Sequence, residues 1–227
     1  NKIGSECFRL WKACDAQVGD DFQINPEEIQ AKYFGVLTKL FNVARFASQF
    51  DVPDDLDSVP DSLSVEDRWI LSEFAETMSR VETAWTGLDI YTATQALKTF
   101  GTGILPSHWL EMSKSRLYDG DENAAWTIHR IVRDLMSALS PVCPFFTHHI
   151  SSTLYEQSAV DVRAFPARTP DDGNLRELTN AIEEFNGSTW RQKKDSGLSL
   201  NAPISGIDIP DELIEFTSIL TQMHKLE

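Results

Sequence analysis

Asn42, Arg45, Phe46 and Gln49 fall at i, i+3, i+4 and i+7, so on a helix they form one strip. Two amides, a guanidinium and a ring side by side suit a partner that is flat, polar-edged and anionic. A plainer reading also fits: one or two rim residues and one more core phenylalanine. Arg191, Lys193 and Lys194 form the densest basic cluster, suited either to phosphate contact or to a solvated helix end. Catalytic patterns are scarce. The chain carries no Gly-rich phosphate loop, no HExxH and no GxSxG. His148 and His149 are adjacent, and neighbours on a helix point about 100° apart, so they do not serve one site readily. Asp54-Asp55 and Asp171-Asp172 read as exposed loop acids rather than a paired acid and base.

The strip needs a helix to carry it. Asn25 can cap, Pro26 suits the first helical position, and Glu27 and Glu28 sit at the positive end of the dipole. Behind them Ile29, Tyr33, Val36, Leu37, Leu40, Ala44 and Ala47 recur at helical steps. The stretch from Pro26 to Phe50 thus spans roughly 37 Å, the height of a small domain. Residues 4–17 form a shorter helix with Phe8, Leu10, Trp11 and Cys14 on its apolar side, closed by Gly19-Asp20-Asp21; Phe22-Gln23-Ile24 then runs extended. The proline- and aspartate-rich stretch 51–64 reads as a solvated connector. Ser64 caps a third helix, with Asp67 completing a near-variant of the capping box, and Gly87 ends it. A fourth runs from Tyr91 to Tyr118 with a kink or break expected at Gly101, Gly103 and Pro106. A fifth spans Glu122 to Leu139 and a sixth Phe145 to Gln157. Val160–Phe165 alternates like a strand, a helix follows from Asn174 to Lys194 and closes at Gly197, Leu198–Ile209 reads extended, and Pro210 opens a last helix.

The expected fold is therefore mainly all-α, an antiparallel helix bundle with a small α+β C-terminal appendage. We divide it into a lead-in helix (1–24), the bundle (25–157) and the appendage (158–227). Starting at Asn1 without a methionine, the chain reads as a piece of something longer, and Leu226-Glu227 as a cloning remnant.

Composition narrows the function classes. The 227 residues are 41% hydrophobic with 6 Trp and 13 Phe, enough for a sizeable core. No apolar run reaches the roughly 18 residues of a membrane span, and no export signal shows, so a cytoplasmic, non-membrane protein is expected. Cys7, Cys14 and Cys143 lie far apart without a CxxC pair, which fits buried thiols in a reducing compartment and counts against structural zinc; no metal site is expected. A net charge of −15 argues against nonspecific nucleic-acid binding. The acid is uneven, however: residues 51–64 carry five Asp and no base, whereas Lys98, Lys114 and Arg116 outnumber Glu111 and Asp119 between 91 and 120. A local cationic face is compatible with that distribution.

Five segments, GSECFRLWKACDAQVGDDF, KYFGVLTKLFNVARFAS, EDRWILSEF, HWLEMSKSRLYDGDENAAW and LMSALSPVCPFFTHHISSTLY, occur in the order found in class Ia aminoacyl-tRNA synthetases. Together with TWRQKKDSGLSLNAPISGIDI they resemble the helical anticodon-binding domain that follows the catalytic domain in those enzymes. Within that class, NVARF, the E-M-x-K-x-R-L-Y helix and the K-x-x-x-G-L-S-L-N-A-P-I tail are most similar to the valyl enzymes of archaeal type. The isoleucyl enzymes' tryptophan after R-x-R and their zinc-binding tail are missing, and the leucyl enzymes commonly leave the anticodon unread. The same domain of an isoleucyl or leucyl enzyme is the alternative within the class. Met112-Ser113-Lys114-Ser115 is similar to part of the ATP-binding KMSKS loop, but it continues a helix already set by Trp109 and Leu110, and we reject it as an ATP site.

The resemblance implies a partner and a division of labour. This piece would grip a tRNA, tRNA(Val), for the catalytic domain of the same chain, acting as a monomer. ATP and Mg2+ would belong to that parent enzyme, with no catalytic residue and no cofactor here. The Arg-Phe pair of the second helix would lie near the anticodon, making Arg45 and Phe46 the first candidates and Asn42 and Gln49 their neighbours. Trp109, Glu111, Lys114 and Arg116 would face them from the matching helix, and Arg191, Lys193 and Lys194 would take phosphate. The N-terminal helix, with Arg9 and Lys12, would pack near the inner bend of the tRNA. Outside this class, a helical adaptor binding protein through exposed aromatics is the competing reading. A freestanding hydrolase is disfavoured by the missing nucleophile and metal sets.

Overall fold

A computed structural model of the chain describes residues 3–15, 19, 23–156 and 165–227. Its helices begin where side chains take up orphan amides. Asn25 Oδ1 accepts from the amides of Glu27 and Glu28 at 3.2 and 3.4 Å to start α2 (Pro26–Ala47). Ser64 starts α3 (Val65–Thr86), accepting from the Asp67 amide and donating to its carboxylate. Asp121 starts α6 (Glu122–Leu139) through the amides of Asn123 and Ala124. Each such cap is worth about 1 kcal/mol. The first helix, α1, covers Ser5–Cys14, and α7 covers Pro144–Tyr155. Helix α3 does end at Gly87, but with φ −82; the left-handed residue there is exposed Leu88 (φ 58).

The fourth helical stretch departs from expectation. Helix α4 (Ile90–Thr99) passes into a π-helix over Phe100–Trp109 and on into α5 (Leu110–Tyr118) without a break. Its wider turns, with the Leu110 amide bonding five residues back to Leu105, take up Pro106, which has no N–H to give. Gly101 allows close packing: a Cβ there would stand 2.7 Å from Leu40 Cδ2 and 3.1 Å from Leu135 Cδ2. The strut therefore runs tightly between α2 and α6. Around it are buried Trp69, Phe74, Phe100 and Trp109, each large ring contributing on the order of 2–3 kcal/mol.

The connector 51–64 is held rather than loosely solvated. Its aspartates are largely exposed, but α6 pins its backbone: Arg130 Nη1 donates to the Leu56 carbonyl at 2.8 Å and Trp126 Nε1 to that of Asp55 at 3.1 Å. Arg130 also reaches the Ala167 carbonyl, and Asn123 reaches that of Ser62.

Residues 165–227 pack onto α3 and α5. The expected single helix comes as α8 (Gly173–Glu177) and α9 (Thr179–Asp195), broken at Leu178 where Thr179 Oγ1 accepts from Trp69 Nε1. A 3₁₀ turn (Asp211–Phe216) leads into α10 (Thr217–His224). The α+β character expected of this part reduces, among the described residues, to one parallel bridge between Ile204 and Leu226. A pair that short has no neighbouring strand to extend it. Leu226-Glu227 is hydrogen-bonded into the fold by that bridge, through the Glu227 amide. The strand expected at 160–165 lies, but for Phe165, outside the described residues, as do Asp20, Asp21 and Phe22. No described helix is long and apolar enough to cross a membrane.

Candidate nucleic-acid interface

The last two turns of α2 carry Asn42, Arg45 and Phe46; the helix ends at Ala47, short of the expected Phe50, so Gln49 falls in the turn that follows. Asn42, Arg45 and Gln49 are exposed and Phe46 is half-buried. Phe46 meets Phe50 edge-on at 5.2 Å and Tyr118 at 6.1 Å, and Phe50 meets Tyr118 at 5.6 Å. This three-ring cluster holds Phe46 at one wall of a groove, and Tyr118 remains 64% exposed beside it. The bland alternative for Phe46 is half right, since the ring leans on the core and still reaches the surface.

The groove has a volume of about 710 Å³ and lies between α2, the π-helical stretch, α5 and α9. Asn42 and Phe46 line it from α2, Glu111 and Lys114 from α5, Trp190 from α9, and Asn201 from the segment after it. Lys114 and Glu111 pair one turn apart with side chains 44% and 40% exposed, so both can meet a ligand. Such a pair is worth little in solvent, and its groups exchange easily for a better partner. Lys39 adds a second cation at the rim. A neighbouring recess of about 550 Å³ shares Trp190 and Leu200 and adds exposed Arg191 and Lys194. Anionic backbone can thus run from one to the other past the tryptophan.

The structure separates the other candidates. Arg45 stands on the α2 ridge outside the groove lining, one turn from the exposed ring of Phe41. Gln49 lines a different recess, with Phe50 and the aspartates of the connector. Three expected contact residues are withdrawn. Trp109 is fully buried, its Nε1 donating to Asp67 Oδ1 at 3.1 Å. Arg116 is spent on an internal cluster, bonding Glu66 at 2.6 Å, Asp67 at 2.7 Å and Asp121 at 2.9 Å. Burial opposes its charge, but Asp67, Glu66 and Asp121 outweigh that and raise its pKa. Lys193 is buried, donating to the carbonyls of Leu200 at 2.9 Å and His224 at 2.7 Å. Burial pulls its pKa down, and no carboxylate among the described residues bonds it. All three are structural.

Met112 and Ser113 are buried within α5, so the MSKS stretch is helix here and not a loop. His148 and His149 are exposed on α7. The cysteines are buried free thiols, and burial pushes that of Cys14 up to about 11. Trp190 and Asn201 are groove residues that the sequence reading missed, as it missed Tyr118 of the ring cluster, which lines the acidic recess on the other side. Tyr118 was legible as a ring at a helix end, whereas Trp190 and Asn201 reach the groove only through tertiary packing.

An all-α bundle around a continuous strut, with rings, amides and lysines meeting in one open groove, is the architecture of a helical domain suited to a flat, charged ligand. The chain belongs to the family of anticodon-binding domains of tRNA ligases, whose model matches residues 67–208. That match begins in α3, and α2 enters the comparison through relatives aligned over nearly all of this chain. Valine–tRNA ligase of Saccharolobus solfataricus is 33% identical over 90% of this chain, that of Methanothrix thermoacetophila 32% over 93%, and that of Aeropyrum pernix 29% over 99%. These alignments take in 24%, 24% and 28% of the three relatives, so the chain spans about a quarter of their length.

Proposed function

We propose that this chain grips the anticodon stem-loop of a tRNA, tRNA(Val), as part of a cytoplasmic, monomeric valine–tRNA ligase. The supporting observation is the groove itself, where Phe46, Asn42, Lys114 and Trp190 converge beside exposed Arg45. Single-stranded loops are read by stacking on rings and by hydrogen bonds to base edges, and the phosphates between are met by lysine and arginine. Phe46 would offer a ring face, Asn42 an amide for a base edge, and Lys114, Lys194, Arg191 and Arg45 charge for the backbone. The catalytic domain, using ATP and Mg2+, would lie elsewhere in the full ligase. It would pack on the α1 side, where Phe8, Leu88 and Ile90 leave apolar surface around a cleft of about 990 Å³.

Nuclease footprinting of transcribed tRNA(Val) in the presence of the 227-residue chain tests this reading. Protection confined to the anticodon loop and its closing stem supports it. Protection of the acceptor arm alone, or competition by an unrelated tRNA at equal concentration, contradicts it.

A further inference from the structure

Trp190 has no part in the strip on α2, yet it lines the same groove from a helix about 140 residues further along the chain. It is half-buried, with the His108 ring 5.8 Å away at 36° and the His224 ring 5.6 Å away at 59°. Those two histidines are locked to each other through buried Asn186. His224 Nε2 donates to Asn186 Oδ1 at 2.8 Å, and Asn186 Nδ2 donates to His108 Nδ1 at 3.0 Å. One turn on from Trp190, the buried Lys193 ammonium ties the carbonyls of Leu200 and His224, fixing the segment that presents Asn201. A ring is thus packed against two other rings, Asn201 follows directly on a held carbonyl beside it, and both border open space.

Building on the reading of the groove as an RNA site, we infer that Trp190 and Asn201 form a second wall that captures one splayed, unpaired base, separately from Phe46. Trp190 supplies the stacking face and Asn201 an amide donor and acceptor for the base edge. Lys193 is a positioning residue that holds this wall in place and touches no RNA. Recognition would then be assembled from both ends of the chain, α2 contributing one platform and α9 with its following segment the other.

The test uses the 227-residue chain and an anticodon stem-loop RNA carrying 2-aminopurine at each loop position in turn. Wild type is expected to quench the probe at two positions. Trp190→Ala should restore fluorescence at one of them and weaken binding about tenfold. Trp190→Phe should keep most of the quench, and Phe46→Leu should affect the other position. Lys193→Met should lower affinity without shifting which position is quenched. Quenching and affinity unchanged in Trp190→Ala, with Phe46→Leu impaired, would overturn the second wall and leave the groove reading standing. Equal loss in Trp190→Ala and Trp190→Phe with a matching fall in melting temperature would also overturn it, since the ring would then be packing only. No binding by wild type overturns both.

Discussion

Two depressions open on either side of the Phe46–Phe50–Tyr118 ring cluster, and their chemistry is opposite. The recess under the connector is the larger, about 900 Å³ against about 710 Å³. Asp51, Asp54, Asp121 and Glu122 line it and, among the described residues, no Lys or Arg does. The groove is lined by Lys39, Lys114 and Glu111 with two asparagines. On a chain of net charge −15 an RNA is repelled almost everywhere, so the sign of a cavity matters more than its size. The total charge argues against indiscriminate binding and says nothing about this one face.

Arg116 lies beneath the acidic side, so removing it probes that side alone. Arg116→Ala leaves Glu66 and Asp67 buried without their counter-ion and should cost about 3–5 kcal/mol in urea unfolding. RNA affinity of the remaining folded protein should stay within twofold. An intact melt with lost affinity would return Arg116 to the interface and blur the contrast.

Acid should loosen the groove's far wall next. Burial, together with the Lys193 charge, pulls the pKa of His224 from 6.5 to about 4. The folded pKa is depressed, so between those values the unfolded chain binds a proton that the folded chain does not. Stability is therefore unaffected above pH 6.5 and falls as pH drops towards 4, by roughly 2–3 kcal/mol at pH 4.5. Comparing urea melts of wild type and His224→Gln at pH 7.5 and 4.5 checks this, and the variant should lose much of the difference. Equal acid sensitivity in both would mean that other groups carry it.

A smaller effect is expected at Phe46. Because the ring is half-buried against Phe50 and Tyr118, truncation to alanine would mix folding with binding. Phe46→Leu keeps apolar bulk and removes the flat face. It should weaken the anticodon stem-loop complex about tenfold, within the 1–3 kcal/mol of a stacked base, while moving the melting temperature little. A large drop in melting temperature with unchanged affinity would make Phe46 a core residue.

Local rules carried far in this chain. Asn25, Ser64 and Asp121 cap where their side-chain chemistry says they should, because a cap is satisfied by amides two or three residues away. The π-helical strut was not legible, since Gly101 and Pro106 read locally as a break and only the fit between Leu40 and Leu135 shows otherwise. The site split in the same way. Asn42 and Phe46 reach the groove as their spacing implies, and Glu111 and Lys114 as the resemblance implies, while Trp109, Arg116 and Lys193 were misread as contact residues. Asp67, which holds both Trp109 and Arg116, lies far off in sequence, and the partners of Lys193 are backbone carbonyls that no residue type announces. One signal was there to be used. Trp109, Met112, Ser113, Arg116 and Leu117 follow a single helical stripe, as do Ile182, Phe185, Asn186, Thr189 and Lys193, so half-buried Arg116 and buried Lys193 both sit on the inward face. Lys114 and Lys194 fall off those stripes and are accessible.

Opposite charge swaps on the two depressions put the contrast to its most direct test. Binding of the anticodon stem-loop to Lys114→Glu and Asp54→Lys should be measured across a salt series. The groove account predicts at least about a tenfold loss for Lys114→Glu, with the slope of log K against log salt reduced by about one phosphate contact. Asp54→Lys should bind as wild type or slightly tighter. Unchanged affinity and slope in Lys114→Glu, with Asp54→Lys the variant that responds, would contradict it.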